Sequence, residues 1–499
     1  MKIGQTGQGI SIGRRITMLA DASPERTAII FAPREGPEQR ISLVHLDRAS
    51  NRAARLLSAR GTGERSLVVV GLRNSPEHYV ATFGAWKLGA CVLPLSPALP
   101  AWERDQMLEA ARPAAIVTDW QDIEGPLVRP AEIADGAAFS TEPLPDRIPH
   151  PGKAIGSGGS TGRPKIIVDP RPWAWEPGGF VGAFGGRVGM RMGQVQLIAG
   201  PLYHNSPFSW GPLGLFEEHT LVVMERFEAA SAVDLIERHG INFGFLVPTM
   251  MKRIIDLPDI ARRDFSSVHA FVHTAAPCPP WLKRAWIDLI GGERLYEAYG
   301  ATEAVGSTVI RGDEWLRHPG SVGRPQDCDL RILDADGKHL PPGQVGEIFM
   351  RPHAEGPTYR YLGSPPAKET AQGFITVGDL GWVDDEGYLH LADRRVDLII
   401  SGGANIYPAE VEAALMQHPL VGDVVVIGMP DEDMGKRVHA IIQPCDPQRP
   451  PAAEDLTEYC LRRMAPYKVP RSYEFVTSLP RDDAGKIRRS ALVSERMSA

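Results

Sequence analysis

The stretch from Ser66 to Leu95, SLVVVGLRNSPEHYVATFGAWKLGACVLPL, contains the pattern that decides the fold class. It begins with a β-branched run, Ser66–Leu72, continues through the alanine-rich segment His78–Leu88, and ends with a second apolar run, Cys91–Leu95. Two short apolar runs separated by a helix-length segment are typical of a strand, a helix and a parallel strand. The sequence therefore predicts an α/β protein with mostly parallel sheets.

The same alternation continues beyond this stretch. Further predicted strands are Ala114–Thr118, Gln194–Ile198, Thr220–Met224, Phe243–Val247 and Ala270–Thr274. Predicted helices are Ala230–His239, Met250–Asp256 and Pro280–Leu289. After Arg324, short runs joined by turn residues indicate antiparallel hairpins with strands at Asp329–Leu333, Gly346–Met350, Phe374–Val377, Gly381–Val383 and Tyr388–Ala392. Beyond Asp393, a separate strand and helix pattern predicts a C-terminal domain of about 100 residues.

Composition excludes several classes of protein. The chain has 499 residues and a net charge of −7, which argues against nucleic-acid binding through a basic face. It contains no run of about 18 apolar residues, so no membrane span is expected. The five cysteines are scattered, and no two have metal-ligand spacing. We expect reduced thiols in a cytoplasmic protein.

Gly156–Lys165, GSGGSTGRPK, is the most informative segment for function. It combines glycines, hydroxyl side chains, Arg163 and Lys165 between two predicted strands. Glycines let backbone N–H groups point inward, and with hydroxyls and cations they form a nest for phosphate oxygens. The segment is not a Walker A loop, because Lys165 is followed by a strand and not by Ser or Thr. It predicts a phosphate-binding hairpin, whereas a bare Gly/Ser loop would more often be a surface turn.

This loop resembles the phosphate-binding motif of the adenylate-forming superfamily, which contains acyl- and aryl-CoA synthetases, luciferases and nonribosomal-peptide adenylation domains. Gly159–Ser160 is similar to the bile-acid-CoA-ligase-like branch. Other segments that resemble family motifs follow in order: GPLYHNSPF, TAAP, YGATE, GDL, DRRVDLIISGGANIYP and PRDDAGKIR. The resemblance implies a large N-terminal adenylating domain (1–393) with two mixed sheets, packed helices and a β-rich subdomain from about 325 to 393. It also implies a small, mobile α+β C-terminal domain (394–499).

The resemblance implies which residues bind ATP and its metal ion. The ATP- or AMP-binding residues would be Ser157, Gly158, Gly159, Ser160, Thr161, Gly162, Lys165, Ala275, Ala276, Pro277, Tyr299, Gly300, Ala301, Thr302, Asp379 and Arg394. Among them Tyr299 would stack on adenine and Asp379 would bind the ribose hydroxyls. Glu303 is the implied Mg²⁺ ligand, which suits a hard cation that prefers carboxylate and phosphate oxygens.

The acyl pocket and the catalytic residues are implied in the same way. The acyl-pocket residues would be His204, Phe208, Trp210, Phe245, Val247 and Ala276. The catalytic residues would be His204, Thr302 and Lys486, with Lys486 reaching the adenylation site from the C-terminal tail. A lone histidine after a strand more often makes a structural hydrogen bond. Gly402 and Gly403 would line the CoA tunnel, and Val396 occupies a hinge position where the family usually has Asp or Lys.

These assignments predict an ATP-dependent, AMP-forming ligase that adenylates a carboxylic acid, releases pyrophosphate and transfers the acyl group to CoA. Gly211, Gly214 and Gly244 favour room for a bulky aromatic, alicyclic or steroid-like acid. The alternative is an amide bond synthetase that passes the acyl-adenylate to an amine. Val396 favours this alternative slightly, because the residue that the family usually has at the hinge, and with it the usual basis for domain movement, is absent. A catalytically silent nucleotide-binding protein and a luciferase-like oxygenase are weaker alternatives. Many relatives are dimers, so a homodimer is one expected state.

Overall fold

The computed structural model describes residues 9–135, 138–157, 165–394, 397–401, 404–482 and 485–498. Its strands are β1 (Ile10–Ser11), β2 (Thr27–Ala32), β3 (Gln39–Ser42), β4 (Leu67–Gly71), β5 (Cys91–Pro94), β6 (Ala115–Thr118), β7 (Leu127–Val128), β8 (Lys153–Ser157), β9 (Lys165–Asp169), β10 (Ala174–Trp175), β11 (Val195–Ile198), β12 (Thr220–Met224), β13 (Phe243–Leu246), β14 (Ala270–His273), β15 (Leu295–Gly300), β16 (Ser307–Arg311), β17 (Ser321–Pro325), β18 (Cys328–Leu333), β19 (Gly346–Pro352), β20 (Arg360–Leu362), β21 (Asp379–Val383), β22 (Leu389–Arg394), β23 (Ile399–Ser401), β24 (Ala404–Ile406), β25 (Val421–Asp431), β26 (Gly435–Pro444) and β27 (Ser472–Phe475).

The α-helices of the same residues occur in every part of the chain. They are α1 (Ile12–Ala22), α2 (Leu43–Ala59), α3 (Pro76–Lys87), α4 (Ala101–Ala111), α5 (Pro130–Asp135), α6 (Asn205–Phe216), α7 (Ala229–His239), α8 (Pro248–Ile255), α9 (Pro280–Ile290), α10 (Gly312–Trp315), α11 (Pro408–Leu415), α12 (Ala453–Leu461) and α13 (Arg489–Ser498). A π-helical turn lies at Val181–Gly185. None of the helices in the described ranges is both long enough and apolar enough to cross a bilayer.

A mixed sheet of thirteen described strands spans the larger part of the molecule. Its order is β18-β19-β21-β22-β17-β16-β15-β14-β13-β11-β12-β2-β3. Successive strands from β15 to β2 in this order pair in parallel, as the alternation of strands and helices predicts, and the edge strand β3 pairs antiparallel with β2. From β15 to β18 the neighbours are antiparallel. The β-rich region after residue 324 therefore continues this sheet.

The second large sheet has seven described strands in the order β20-β9-β8-β5-β4-β6-β7. Strands β4 and β5 are parallel neighbours connected through α3, which confirms the strand–helix–strand prediction for Ser66–Leu95. At the other edge, β8 and β9 form an antiparallel hairpin, and β20 joins β9 from much later in the chain. This edge carries the glycine-rich segment.

The main core lies between the two sheets. Its buried residues come from strands of both sheets and from α1, α2 and α3. Helix α3 is buried at every position from His78 to Lys87, so it is sandwiched between layers and has no solvent face. The indole N–H of Trp86 donates to the carbonyl of Gly152 at 2.7 Å, and the Lys87 ammonium lies 2.7 Å from Asp47. These pairings satisfy two of the polar groups that the sandwich buries, whereas His78 Nε2, Tyr79 Oη and Thr82 Oγ1 of the same helix are buried without a hydrogen-bond partner among the described residues.

The last described part of the chain has its own sheet. Strands β25 and β26 are antiparallel, and β27 is parallel to β26. Side chains alternate along β25, so that Val424 and Val426 face α11 and α12, whereas Val425 and Ile427 face α13. This arrangement is the expected small α+β unit. Together with the two large sheets it confirms the predicted fold class.

One predicted strand is not found. Phe374–Val377 forms no regular strand, and Ile375 makes only isolated β-bridges with Met350 and Glu369. Phe374 is buried against Leu333 and Phe349. The apolar pattern of this segment reflects packing against the sheet and not membership of it.

Candidate active site

The glycine-rich segment connects two paired strands. Ser157 and Lys165 lie opposite each other in the register of β8 and β9. The predicted phosphate-binding residues Gly158, Gly159, Ser160, Thr161 and Gly162 lie outside the described residues. The structure therefore defines the base of the predicted phosphate-binding hairpin, from which the Lys165 side chain extends.

Lys165 ends in a cluster of polar side chains. Its ammonium lies 3.0 Å from Glu303 Oε1 and 3.1 Å from Tyr361 Oη. The Tyr361 hydroxyl donates to the same carboxylate oxygen at 2.6 Å. The three residues come from β9, from the turn after β15, and from β20. The cluster thus joins the base of the hairpin to the turn that carries the predicted metal ligand.

The carboxyl group of Glu303 is held in its ionised form. Its side chain is only 7% exposed, and burial alone would oppose ionisation. The Lys165 ammonium and hydrogen bonds from Tyr361 and Lys165 outweigh burial and hold the pKa of Glu303 below its usual value. Burial and the neighbouring carboxylate raise the pKa of Tyr361, which keeps its hydroxyl protonated as a donor.

An ionised Glu303 fits the predicted Mg²⁺ ligand. Mg²⁺ in nucleotide sites is usually held by one or two carboxylates, and waters and substrate phosphates complete its octahedron. Among the residues described, no three potential ligand side chains cluster into a metal site. Waters and nucleotide phosphates would therefore supply the remaining oxygens.

Tyr299 and Asp379 meet beside this turn. The Tyr299 hydroxyl donates to Asp379 Oδ2 at 2.7 Å. Tyr299 lies near the end of β15, and Asp379 is the first residue of β21. The backbone of Arg394, at the end of β22, is the register partner of Asp379. Three predicted nucleotide-binding positions are thus brought together.

Two turns near Tyr299 contain alanines with positive φ. Ala275, with φ of 76°, lies in the predicted TAAP turn after β14, where Ala276 is half-buried and Pro277 is exposed. Ala304, with φ of 51°, closes the YGATE turn by donating its N–H to the carbonyl of Ala301 at 2.9 Å. Alanine is disfavoured there, and strained backbone is common at ligand-binding sites.

Thr302 lies half-buried in the YGATE turn, directly before Glu303. Behind this turn is a pocket of about 230 Å³. Tyr299, Gly300 and Ala301 line one side, and apolar residues of the β-rich region, including Ile348 and Val377, line the other. The predicted adenine-binding residues therefore border a cavity.

A second pocket, of about 200 Å³, lies beside α6. His204 is the residue before α6, and its carbonyl accepts the N–H of Phe208 at 3.1 Å. Trp210 packs 4.4 Å from Phe245 and 5.0 Å from Phe180, measured between ring centroids. Trp210 and Phe245 line this pocket together, as the acyl-pocket assignment requires.

Two other predicted acyl-pocket residues lie elsewhere. Phe208 is 1% exposed and packs in the main core, with its ring centroid 5.7 Å from that of Trp86. Residues two apart on a helix point about 200° apart, which explains why Phe208 and Trp210 face different sides. Val247 precedes α8 and packs against a separate hydrophobic cluster. The structure places both outside the lining of the second pocket.

The glycines that suggested room for a bulky acid are close-packed. A Cβ at Gly211 would lie 2.9 Å from the Tyr79 hydroxyl, and one at Gly214 would lie 2.0 Å from Gln196 Oε1. A Cβ at Gly244 would lie 3.1 Å from the Phe271 ring. These positions allow close approach of neighbouring groups, so the expectation that they provide pocket space is wrong.

A buried lysine supports the first turn of α6. The Lys153 ammonium lies 3.0 Å from Asn205 Oδ1 and 3.2 Å from Ser209 Oγ. Burial lowers the pKa of Lys153 to about 8, and the charge of Asp169 opposes that shift. This residue anchors the helix that begins immediately after His204.

Lys486 lies on an exposed loop of the C-terminal unit. Its N–H donates to Asp482 Oδ1 at 2.8 Å, and its carbonyl accepts from the Asp482 N–H at 2.8 Å. The preceding Gly485 has φ of 74°, and a Cβ there would lie 2.6 Å from Oγ1 of Thr249 in α8. The loop therefore touches the larger part of the molecule at Gly485. The predicted hinge residue Val396 and tunnel residues Gly402 and Gly403 lie outside the described residues.

Tyr361 is not among the site residues predicted from the sequence. The segment YRYLG, residues 359–363, has the alternation of a short strand, which was the available signal. Its pairing with β9 brings together residues nearly two hundred positions apart and cannot be derived from local pattern.

The sequence pattern of the AMP-binding enzyme family matches residues 17–359, and that of the AMP-binding enzyme C-terminal domain matches residues 410–486. The chain belongs to this family. The first match covers most strands of the two large sheets, and the second covers the three-stranded sheet of the C-terminal unit.

Relatives and solved structures agree with this membership. The chain is 31% identical over 471 residues to a fatty acid–[acyl-carrier-protein] ligase, ScoC of Streptomyces coeruleorubidus, with 90% of each chain covered. It is similar to o-succinylbenzoate CoA synthetase of Bacillus subtilis in complex with an acyl-adenylate (27% identity, 98% of each chain, TM-score 0.83). It is also similar to the amide bond synthetase McbA of Marinactinospora thermotolerans (26% identity, 97% and 99% coverage, TM-score 0.81). These likenesses confirm the adenylate-forming superfamily; the bile-acid-CoA-ligase-like branch stays a prediction.

Proposed function

We propose that this protein is an ATP-dependent, AMP-forming ligase that joins a ring-containing carboxylic acid to CoA. The observation that carries the proposal is the Glu303–Lys165 pair at the base of the glycine-rich hairpin. An ionised carboxylate and an ammonium beside a predicted phosphate-binding loop suit a magnesium nucleotide. The adjacent Tyr299–Asp379 pair provides the matching place for the nucleoside.

In the first half-reaction, a carboxylate oxygen of the acid attacks the α-phosphorus of ATP. The new O–P bond forms as the bond to the bridging oxygen breaks, and pyrophosphate leaves with that electron pair. The product is an acyl-adenylate, a mixed anhydride with AMP as a good leaving group. The protein contributes mainly by positioning the reactants and neutralising charge.

Each charged side chain has a separate task in this proposal. Lys165 contacts the β- and γ-phosphates, and Asp379 accepts hydrogen bonds from the ribose hydroxyls. Lys486 bridges the substrate carboxylate and an α-phosphate oxygen, which reduces their repulsion and stabilises the charge that develops during attack. Mg²⁺ bound through Glu303 would neutralise charge on the phosphate oxygens.

In the second half-reaction, the sulfur of CoA attacks the acyl carbonyl. A C–S bond forms, the bond to AMP breaks, and the thiol proton passes to solvent. We propose that the C-terminal unit turns about Val396 to withdraw Lys486, and that Gly402 and Gly403 then line the path of the thiol. Alternation of one site between two steps is ordinary hinge behaviour.

The second candidate acceptor is an amine. The likeness to an amide bond synthetase and the unusual Val396 favour it. The segments HNSP at 204–207 and SGGANIYPAE at 401–410 resemble CoA ligases and favour CoA. We propose that the protein works in the cytoplasm, where ATP and CoA are available; its five cysteines are all free thiols.

The pocket beside α6 supports an aromatic acid. Trp210, Phe245 and Pro207 line it with flat apolar surfaces on which a ring of the acid would pack, and Ser206 supplies a hydroxyl group. Gln196 also lines the pocket, but its amide is paired with the carbonyl of Trp210 and with His219.

A screen of carboxylic acids tests the proposal. Pyrophosphate release from ATP is measured with each acid alone, with CoA, with a panel of amines, and with an acyl carrier protein, and products are identified by mass. We expect acid-dependent pyrophosphate release and a thioester only where CoA is present. Amides formed without CoA would support the second candidate. No pyrophosphate with any acid would refute both.

A further inference from the structure

The tail segment after Gly485 presents alternate residues to the two parts of the molecule. Ile487 packs into the hydrophobic cluster formed by β25, β26 and α13. The residues on either side of it, Lys486 and Arg488, are exposed. Arg488 therefore lies two residues beyond Lys486, and its side chain reaches Glu103 in the larger part of the molecule.

Arg488 makes a paired contact with the first turn of α4. Its Nη2 lies 2.6 Å from Glu103 Oε1, and its Nη1 lies 3.2 Å from Glu103 Oε2. The Arg488 side chain is 55% exposed, but that of Glu103 is only 4% exposed. A two-pronged guanidinium–carboxylate contact of this kind fixes orientation as well as distance.

Helix α4 links this contact to the predicted phosphate-binding hairpin. Met107, one turn beyond Glu103, packs so closely over Gly156 that a Cβ there would lie 3.0 Å from its sulfur. Gly156 belongs to β8, at the base of that hairpin. The Arg488–Glu103 contact thus fixes the tail relative to the element that carries the predicted phosphate site.

We infer that Arg488 and Glu103 are positioning residues that hold Lys486 in place for adenylation. The inference rests on the proposed function, because Lys486 is the residue that they place. If the C-terminal unit turned away, the two-pronged contact would be lost. The pair therefore stabilises the arrangement in which it forms, which the inference assigns to adenylation.

The first test compares the two half-reactions in Glu103→Gln, Arg488→Gln and the double variant. Acid-dependent ATP–pyrophosphate exchange should fall about tenfold in each single variant, because a charge-assisted contact between a buried carboxylate and a half-exposed guanidinium is lost. Thioester formation from pre-made acyl-adenylate should be unchanged. The exchange activity of the double variant should be no lower than that of the less active single variant, because the two substitutions remove the same interaction. Arg488→Lys should retain more exchange activity than Arg488→Gln.

Arg496→Gln is the matched control. Arg496 lies in α13, and its guanidinium pairs with Glu474 within the same unit, at 2.6 Å and 2.7 Å. Its loss should leave the ratio of the two half-reactions unchanged. Equal loss of both half-reactions in folded Arg488→Gln, or multiplied losses in the double variant, would overturn the inference.

A second test reads the domain arrangement without catalysis. Cys445, an exposed native thiol, and an engineered Met192→Cys at an exposed position carry a donor and an acceptor dye. Without substrate, Arg488→Gln should lower the population of molecules that show the wild-type energy-transfer efficiency about tenfold relative to other arrangements, because the same contact is lost. An unchanged distribution overturns the positioning role. If the wild-type protein never exchanges pyrophosphate but Arg488→Gln still causes this shift, the result refutes the proposed function and leaves the positioning contact in place.

Discussion

The predicted nucleotide-binding residues and the tail lysine are held in very different ways. Glu303, Lys165 and Tyr361 are placed by strands of the two large sheets and satisfy one another within a buried cluster. Lys486 lies on an exposed loop that meets the larger part of the molecule through the close approach of Gly485 to Thr249 and the Arg488–Glu103 contact.

This difference separates the residues that the proposed mechanism keeps in place from the lysine that it moves. A nucleotide site built on paired strands keeps its geometry throughout a reaction, because moving it would break the ladders of both sheets. A lysine held by a few side-chain contacts can be placed for one step and removed for the next. The number and kind of contacts, more than the motif, thus indicate which residues are proposed to move.

Among substitutions that compare the predicted nucleotide-binding residues with the tail lysine, Lys486→Ala should have the largest effect. Acid-dependent ATP–pyrophosphate exchange should fall at least about 100-fold, because charge developing at the α-phosphate loses its counter-charge. Thioester formation from pre-made acyl-adenylate should stay within about threefold of wild type, since the proposed role of this lysine is confined to the first step. Equal loss of both half-reactions in a folded protein would contradict the assigned role.

Glu303→Gln removes the carboxylate from the cluster that Glu303 forms with Lys165 and Tyr361. We expect about a 100-fold loss of pyrophosphate exchange, partly recovered at higher Mg²⁺, because the neutral amide binds the cation weakly. Asp47→Asn is a control, since Asp47 is another buried carboxylate paired with a lysine, in α2 and outside the nucleotide cluster. It should lower the melting temperature without changing the KM for ATP. An unaltered Mg²⁺ dependence of the Glu303 variant would argue against the metal assignment.

Tyr361→Phe tests the residue that the motifs did not reveal. Without its hydroxyl, the Glu303 carboxylate loses one hydrogen bond and its pKa should rise. Activity should fall about fivefold near neutral pH and show an acidic limb shifted to higher pH, as expected for the loss of one charge-assisted hydrogen bond. Tyr388→Phe removes an equivalent hydroxyl–carboxylate contact, with Glu314, from another part of the large sheet. That variant should leave the pH profile where it is in wild type.

Lys153 gives the smallest expected effect, on stability and not on chemistry. Its pKa is lowered to about 8 in the folded protein, from the ordinary lysine value of about 10.4, so the unfolded chain binds more protons as the folded-state lysine deprotonates. Stability should therefore rise with pH, by about 1 kcal/mol between pH 7 and 9. Denaturant titrations should show this rise reduced in Lys153→Met. An identical pH slope in both proteins would mean that Lys153 is not desolvated.

Local sequence pattern predicted the strands and helices of the fold because each has the period and length of its type. Ser66–Leu95 is the clearest case, since its two apolar runs became neighbouring parallel strands. Contacts between distant segments were beyond such reasoning. Arg488 and Glu103 are 385 positions apart, and Tyr361 reaches Glu303 only through the pairing of β20 with β9.

The candidate site shows the same limit at the level of single side chains. Phe208 and Trp210 were both assigned to the acyl pocket, but helix geometry turns Phe208 into the main core. Gly211, Gly214 and Gly244 suggested open volume, whereas the structure fills the space beside each of them. A small residue in the sequence indicates either a cavity or a close contact, and only the neighbours distinguish the two.

At Ala275 and Ala304, thermal stability and affinity for the nucleotide place different requirements on the backbone. Glycine at either position would relieve an unfavourable backbone conformation worth about 1 kcal/mol, while giving the unfolded chain more freedom. It would also loosen a turn that borders the proposed adenine site. Selection for thermostability alone would thus balance relief of the folded backbone against the added freedom of the unfolded chain. A more thermostable protein obtained with glycine at these positions would bind its nucleotide less tightly.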